Sequence, residues 1–301
     1  MVLKSRDLGI PIGKRRGGRD LGLNAMTDIS SNNYQHGYSS RELKRLGEQY
    51  QVWSKENLSF LKRAGFTTNQ TVVDLGCGPG FTTLDLARIV GSGGKVIAVD
   101  RDGEYSLPLL EEQARTAGLT NIEIHACELA ELELSPESVD GIYGRWVLMY
   151  LPEDRVKDII FRMVSWLRPG GVCALAEFCN FLNIQIHPPT QYLMDVAKAL
   201  MRNASDERGC NPEIGTMLPC LIRKAGLKTE INVVTKVVQS GTAEWIWPDR
   251  LFRDVMPDLV GKGFLSKVAM EGFLQDWEKR SNNPEALFFG SPVMETIGRW
   301  E

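Results

Sequence analysis

One run of nine residues, Val72-Val73-Asp74-Leu75-Gly76-Cys77-Gly78-Pro79-Gly80, constrains this chain more than any other segment. A short apolar stretch meets alternate glycines, and a helical pattern, Phe81-Thr82-Thr83-Leu84-Asp85-Leu86-Ala87, opens directly behind them. Glycine adopts positive φ without a Cβ penalty and lets a ligand approach the main chain closely. The first turn of the helix aims N–H groups that lack intrahelical partners at whatever occupies the loop. The segment therefore predicts a strand, a tight loop and a helix that form a nucleotide-type pocket between Asp74 and the helix start.

A dinucleotide fingerprint spaces its glycines G-x-G-x-x-G after the first strand. Here they fall at Gly76, Gly78 and Gly80, and Asp74 opens the motif. That D-x-G-x-G-x-G form resembles the S-adenosylmethionine (SAM) loop of Rossmann-like methyltransferases. Charge points the same way. A pyrophosphate is disfavoured beside a carboxylate, whereas the ammonium and sulfonium groups of SAM are both cationic. Spacing and Asp74 together disfavour an NAD-dependent oxidoreductase.

Two further strand ends follow in order. Lys95-Val96-Ile97-Ala98-Val99-Asp100 reads as a second strand ending in an acid, placed to accept hydrogen bonds from ribose hydroxyls. Ile122-Glu123-Ile124-His125-Ala126-Cys127-Glu128-Leu129 reads as a third strand with an acid just beyond it. In open α/β sheets ligands sit at the carboxyl ends of the strands, where all three signals fall.

The chain of 301 residues is long enough for a sizeable core. Its net charge of −3 argues against a general nucleic-acid footprint, which is usually basic. No apolar run is long enough to span a membrane, and no apolar signal core opens the sequence, so a cytoplasmic location is expected. The six cysteines, Cys77, Cys127, Cys173, Cys179, Cys210 and Cys220, contain no C-x-x-C pair and read as free thiols without a metal site.

Alternating patterns predict strands at 71–75, 95–100, 122–126, 139–144 and 171–178, with helices at about 81–91, 105–117 and 153–167. Such alternation implies a parallel sheet with right-handed crossovers. Residues 39–65 read as two helices, the first capped by Ser40 and the second starting at Lys55. Further on, a helix is expected at 212–225, a strand at Lys228–Val238 and a last strand over 286–300. The expected organisation is a leader and helical cap at 1–65, then a domain at 66–301 with insertions at about 179–211 and 239–283. Trp245, Trp247, Phe252, Phe264, Phe273 and Trp277 mark the second insertion as a helical lid.

The whole pattern resembles class I SAM-dependent methyltransferases, within the small-molecule group related to ubiquinone and menaquinone biosynthesis. Tyr34-Gln35-His36-Gly37-Tyr38-Ser39-Ser40-Arg41-Glu42-Leu43-Lys44-Arg45-Leu46 and Gly144-Arg145-Trp146-Val147-Leu148-Met149-Tyr150-Leu151-Pro152 are similar to segments of one branch of that group. Arg168-Pro169-Gly170-Gly171 is similar to the turn before its fifth strand. The resemblance implies an α/β fold: a seven-stranded, mostly parallel sheet with helices on both faces and an antiparallel last strand beside the fifth.

It also implies a cofactor, SAM, leaving as S-adenosylhomocysteine. Asp74, Gly76, Cys77, Gly78 and Gly80 would hold its methionine part, Asp100 the ribose, and Arg101, Glu128 and Leu129 the adenine. Arg145 and Trp146 would line the methyl-donor region, and Tyr34 would close over the cofactor. Tyr38, Tyr150, Glu177 and His187 are candidate substrate contacts, His187 also a candidate catalytic base. His125 reads as structural.

The expected function is methyl transfer to a small-molecule acceptor with an aromatic or heterocyclic body. The alternative is a SAM-binding protein of the same fold that transfers no methyl, as a regulator or rearrangement catalyst. DNA and RNA amino-methyltransferases of this fold carry a (D/N/S)-P-P-(Y/F) element where this chain has Gly144-Arg145-Trp146-Val147, which argues against a nucleic-acid acceptor. For the N-terminal segment the sequence leaves two roles open, subunit contacts in a homo-oligomer or a cap on the pocket.

Overall fold

A computed structural model describes residues 39–301. In chain order its elements are α1 (Ser40–Ala64), β1 (Thr71–Leu75), α2 (Phe81–Val90), β2 (Lys95–Asp100), α3 (Ser106–Thr116), β3 (Ile122–Ala126), β4 (Val139–Arg145), α4 (Glu153–Trp166) and β5 (Leu167–Phe178). There follow β6 (Gln185–His187), α5 (Leu193–Arg208), α6 (Leu218–Lys224), β7 (Lys228–Val234), β8 (Val237–Gln239), α7 (Ile246–Gly261), α8 (Lys267–Ser281), β9 (Leu287–Phe289) and β10 (Val293–Arg299).

Seven strands form one sheet in the order β3-β2-β1-β4-β5-β10-β7. The first five pair in parallel, while β10 runs antiparallel to both β5 and β7. The seven-stranded sheet with an antiparallel last strand beside the fifth is as expected. Strand order reverses between β1 and β4, and the register brings their ends level: Leu75 lies opposite Val99 on one side and Gly144 on the other. Asp74, Asp100 and Arg145 therefore reach the same sheet edge, at the switch point where such sheets bind ligands.

Residues alternate between the two faces of the sheet, as the strand period requires. Val72, Tyr143, Ala174 and Ala176 pack with residues of α1, α5, α7 and α8. Val73, Leu75, Ile142 and Leu175 pack with residues of α4 and α6. Among the described residues no helix is long and apolar enough to cross a membrane.

Four local expectations are corrected. Residues 40–64 form one 25-residue helix, since no Gly or Pro near Lys55 interrupts the backbone. Its cap is Ser39 rather than Ser40; the Ser39 hydroxyl accepts the Glu42 N–H at 3.2 Å. The expected strand Lys228–Val238 divides into β7 and β8, and the expected last strand divides into β9 and β10. In the latter, Gly290-Ser291-Pro292 breaks the ladder, because proline cannot donate to it. The freed pieces β8 and β9 join β6 in a second sheet of order β6-β9-β8.

That small sheet carries the helical insertion. Phe288 of β9 meets Phe252, Trp277 and Trp247 at ring-centroid distances of 5.7, 5.9 and 5.9 Å. Trp245 stacks on Trp277 at 4.7 Å. Trp245, Phe252, Phe273 and Trp277 are buried, so most of the aromatics expected in a lid are its core. Trp247 differs, because it also faces the cavity described next.

Candidate active site

The glycine loop takes the conformation its residues were chosen for. Gly76, Gly78 and Gly80 have φ of 59°, 51° and 81°. A Cβ on Gly76 would lie 2.3 Å from Val147 Cγ2, and one on Gly80 2.2 Å from Leu110 Cδ1. Gly78 has nothing within 4 Å of that position, so its missing side chain leaves open space. The loop is fixed from β2: Cys77 N–H donates to the Val99 carbonyl at 2.9 Å, and Gly78 N–H to Asp100 Oδ2 at 2.8 Å.

Acidic groups dominate this end. Asp74 is buried and accepts the Thr83 hydroxyl at 2.6 Å. Burial raises its pKa from 3.8 to about 7, with a further push from the charge of Asp100 and opposition from the Thr83 bond. Asp100 is also raised by burial, against the bonds it accepts from Asp102 and Gly78. Two carboxylates strained by desolvation favour a cationic ligand. The Cys77 thiol is pushed well above its ordinary range by burial, so it serves here as a small neutral side chain. Beyond β3, Glu128 pairs with Arg101 at 3.4 Å, and Leu129 is buried beside them.

Asp74, Gly76, Cys77, Gly78, Asp100, Arg101, Glu128, Leu129, Arg145, Trp146 and Tyr150 line one cavity of about 270 Å³. A glycine cradle, open space at Gly78 and a set of cation-seeking carboxylates fit SAM. Gly80 sits behind the loop, at the start of α2.

The far end of the cavity is aromatic. Trp146 stacks on Phe178 at 5.2 Å, Phe178 meets Phe181 edge-on at 5.6 Å, and Trp53 meets Trp247 edge-on at 5.1 Å. Helix α1 roofs the site: Tyr50 stacks on Phe81 at 5.3 Å and donates its hydroxyl to Asp85 at 2.6 Å. Tyr143 donates to Asn57 of α1 at 2.6 Å.

Trp146 has φ of +52°, a left-handed conformation that is costly for a bulky residue. Its turn is held by Glu177, whose Oε1 accepts the Val147 and Leu148 N–H groups at 2.8 Å each. Burial raises Glu177 from 4.5 to about 7.

Glu177 is fully buried and does not line the cavity; the structure places it behind the turn rather than against a substrate. His187 lies exposed on β6 and is likewise outside the cavity lining. His125 contacts Glu123 at 2.7 Å on the sheet edge. Tyr34, His36 and Tyr38 lie outside the described residues.

Several lining residues were not singled out from sequence. Asp102 accepts the Tyr105 and Ser106 N–H groups at 3.0 and 2.9 Å and so anchors the start of α3 beside Asp100. Tyr50 and Trp53 lie three apart on α1, a spacing that puts both on the face that meets the cavity. Phe178 and Phe181 lie three residues apart at and just past the end of β5, whereas Phe288 comes from a distant segment and Trp247 is expected only in the lid, so no local motif joins the four.

Comparison with known proteins agrees with this geometry. The methyltransferase domain family matches residues 66–225, more than half of the chain. Over 114 residues the chain is 35% identical to phosphoethanolamine N-methyltransferase 1 of Triticum aestivum, covering 36% of this chain and 22% of that enzyme. It thus spans well under two thirds of that relative's length. The solved structure of the YcgJ protein from Bacillus subtilis superposes with a TM-score of 0.54 at 16% identity, covering 81% of this chain and 96% of that one. Phosphoethanolamine N-methyltransferase 2 of Haemonchus contortus, solved with phosphomonomethylethanolamine and S-adenosylhomocysteine, gives 0.53 at 16% identity, over 84% of this chain and 56% of that one. At these identities the structural likeness is one of fold. The chain belongs to the methyltransferase domain family and carries the class I fold whose cofactor is SAM.

Proposed function

We propose that the protein transfers the methyl group of SAM to a small-molecule acceptor with an aromatic or heterocyclic body, leaving S-adenosylhomocysteine. The observation that carries this reading is a single cavity lined at one end by Asp74, Asp100 and the glycine loop and at the other by Trp146, Phe178, Phe181, Trp247 and Phe288. Two of the proteins compared above are named as phosphoethanolamine N-methyltransferases. The acceptor class proposed here rests instead on this chain's own aromatic wall, of the kind that buries flat apolar ligands.

When bound, SAM supplies a methyl group on positive sulfur, open to in-line displacement. The chain's part is to hold and exclude. Asp74 and Asp100 favour the cation and the ribose, and the aromatic wall removes water around the acceptor. The Glu177-braced turn fixes Trp146 between the two ends. Alignment and desolvation then carry the rate. With His187 exposed outside the cavity and Glu177 engaged by backbone N–H groups, this reading favours an acceptor whose nucleophile needs no base from these two residues.

The test is incubation with methyl-deuterated SAM and a panel of aromatic and heteroaromatic metabolites, with phosphoethanolamine included. Gain of a labelled methyl by an aromatic member, with S-adenosylhomocysteine released, supports the proposal. Methylation of phosphoethanolamine alone would replace the acceptor class. Cofactor binding with no methyl gain anywhere would favour a SAM-binding protein that transfers nothing.

A further inference from the structure

Beyond β3 the chain makes one turn at the cavity wall, and that turn is held from a helix that adds nothing to the cavity lining. Glu131 N–H donates to the Glu128 carbonyl at 2.8 Å, which makes Leu129 and Ala130 the central residues of a four-residue turn. Arg162 of α4 donates to the carbonyls of both: Nη2 to Leu129 at 2.5 Å and Nη1 to Ala130 at 2.6 Å. Glu128 and Leu129 line the cavity, whereas Arg162 does not. Helix α4 is a firm base for such a clamp, because Val156, Ile159, Ile160, Met163, Val164 and Trp166 are buried. The Arg162 guanidinium carbon also lies 6.0 Å from the Trp166 ring centroid.

The peptide plane between the two central residues is the part of a turn most free to rotate; turn types I and II differ by its reversal. One planar guanidinium on two successive carbonyls fixes that plane, through charge-assisted bonds roughly twice as strong as neutral ones. Glu128 opens the turn, so fixing the plane also fixes where its carboxylate stands. The Glu128 side chain is 46% exposed, so packing alone does not place it, and its ion pair with Arg101 is long at 3.4 Å. Resting on the SAM-dependent reading above, which seats adenine here, we propose that Arg162 is a positioning residue for base selectivity. Through the turn it holds Glu128 where a 6-amino group can donate to the carboxylate and a 6-oxo group is repelled.

The test is calorimetry on the full chain with S-adenosylhomocysteine and S-inosylhomocysteine, in which a 6-oxo group replaces the 6-amino group. The quantity read is the ratio of the two affinities. We expect wild type to favour the adenine form roughly ten- to hundredfold, the size of a hydrogen bond to a charged group. Arg162→Met should bring the ratio towards one. Arg162→Lys keeps the charge but not the fork and should fall between. A merely loosened fold would weaken both ligands together and leave the ratio where it was. In a Glu128→Ala background, adding Arg162→Met should change the ratio no further. A wild-type preference that survives Arg162→Met, or an Arg162→Met effect on the ratio that persists without Glu128, overturns the inference. If Arg162→Met fails to fold, an Arg162→Lys ratio equal to that of wild type overturns it in the same way. Equal binding of the two ligands by wild type also overturns it, while leaving the cofactor site intact. No binding of S-adenosylhomocysteine at all overturns the methyltransferase reading instead.

Discussion

Asp100 Oδ2 accepts the Gly78 N–H at 2.8 Å, so the last residue of β2 props the centre of the loop that follows β1. Its other oxygen accepts the Asp102 N–H at 2.9 Å. One carboxylate thus braces the loop and faces the cavity in which the ribose is expected. Asp100→Ala removes both functions, and we expect S-adenosylhomocysteine affinity to fall roughly ten- to hundredfold, as for loss of hydrogen bonds to a charged group. Unchanged affinity in calorimetry would strip Asp100 of the ribose role.

The three loop glycines separate structure from binding. Gly80→Ala sets a Cβ against Leu110 at positive φ, and we expect about 1–3 kcal/mol of lost stability from overpacking and backbone strain. Gly78→Ala meets no neighbour within 4 Å. Its stability loss should be nearer 1 kcal/mol, from the positive φ alone. The cofactor affinity of Gly78→Ala should nonetheless drop, because the new methyl enters the open space. Equal melting temperatures for the two variants would contradict this division.

Two buried carboxylates set the pH dependence. Asp74 and Glu177 titrate near 7 in the folded chain against ordinary values of 3.8 and 4.5. Between those limits the folded state binds more protons than the unfolded one. Their contribution to stability is therefore complete at acidic pH and is lost as pH rises through about 7. Cofactor affinity should move the other way, since a cation beside Asp74 favours the ionised form. We expect SAM to bind more tightly at pH 8 than at pH 6, and Asp74→Asn to flatten the slope. An equal slope in the variant would remove Asp74 from contact with the cation.

Glu177 is tested through the turn it holds. Glu177→Ala leaves the buried Leu148 N–H and the part-buried Val147 N–H without an acceptor, at about 1–3 kcal/mol for the buried group and less for the other. Glu177→Gln keeps an oxygen for them. We expect Ala to lower the melting temperature and kcat, and Gln to restore much of both. A variant pair with equal losses would point to the charge rather than to the braced Trp146 conformation.

Much of this was legible in the sequence, for a local reason. β1, the glycine loop and α2 occupy consecutive residues, and each strand-end acid follows its own apolar run. Position along the chain therefore gave position at the sheet edge. The aromatic wall was not legible, because Trp53, Trp146, Phe178 and Trp247 meet only after α1, β4, β5 and α7 have packed. Short apolar runs misled in the other direction. Val237–Gln239 and Leu287–Phe289 read as ends of longer strands, although Gly290-Ser291-Pro292 already signalled a break. Glu177 read as a substrate contact because it lies at a strand's carboxyl end, but its face of β5 turns away from the cavity and toward the turn after β4.

The most direct test of the central claim is calorimetry of the purified chain with S-adenosylhomocysteine, in wild type and in Asp100→Ala. We expect saturable one-to-one binding in wild type and a marked loss in the variant. Absence of binding in wild type, or equal binding in both, would contradict a SAM site built on Asp74, the glycine loop and Asp100.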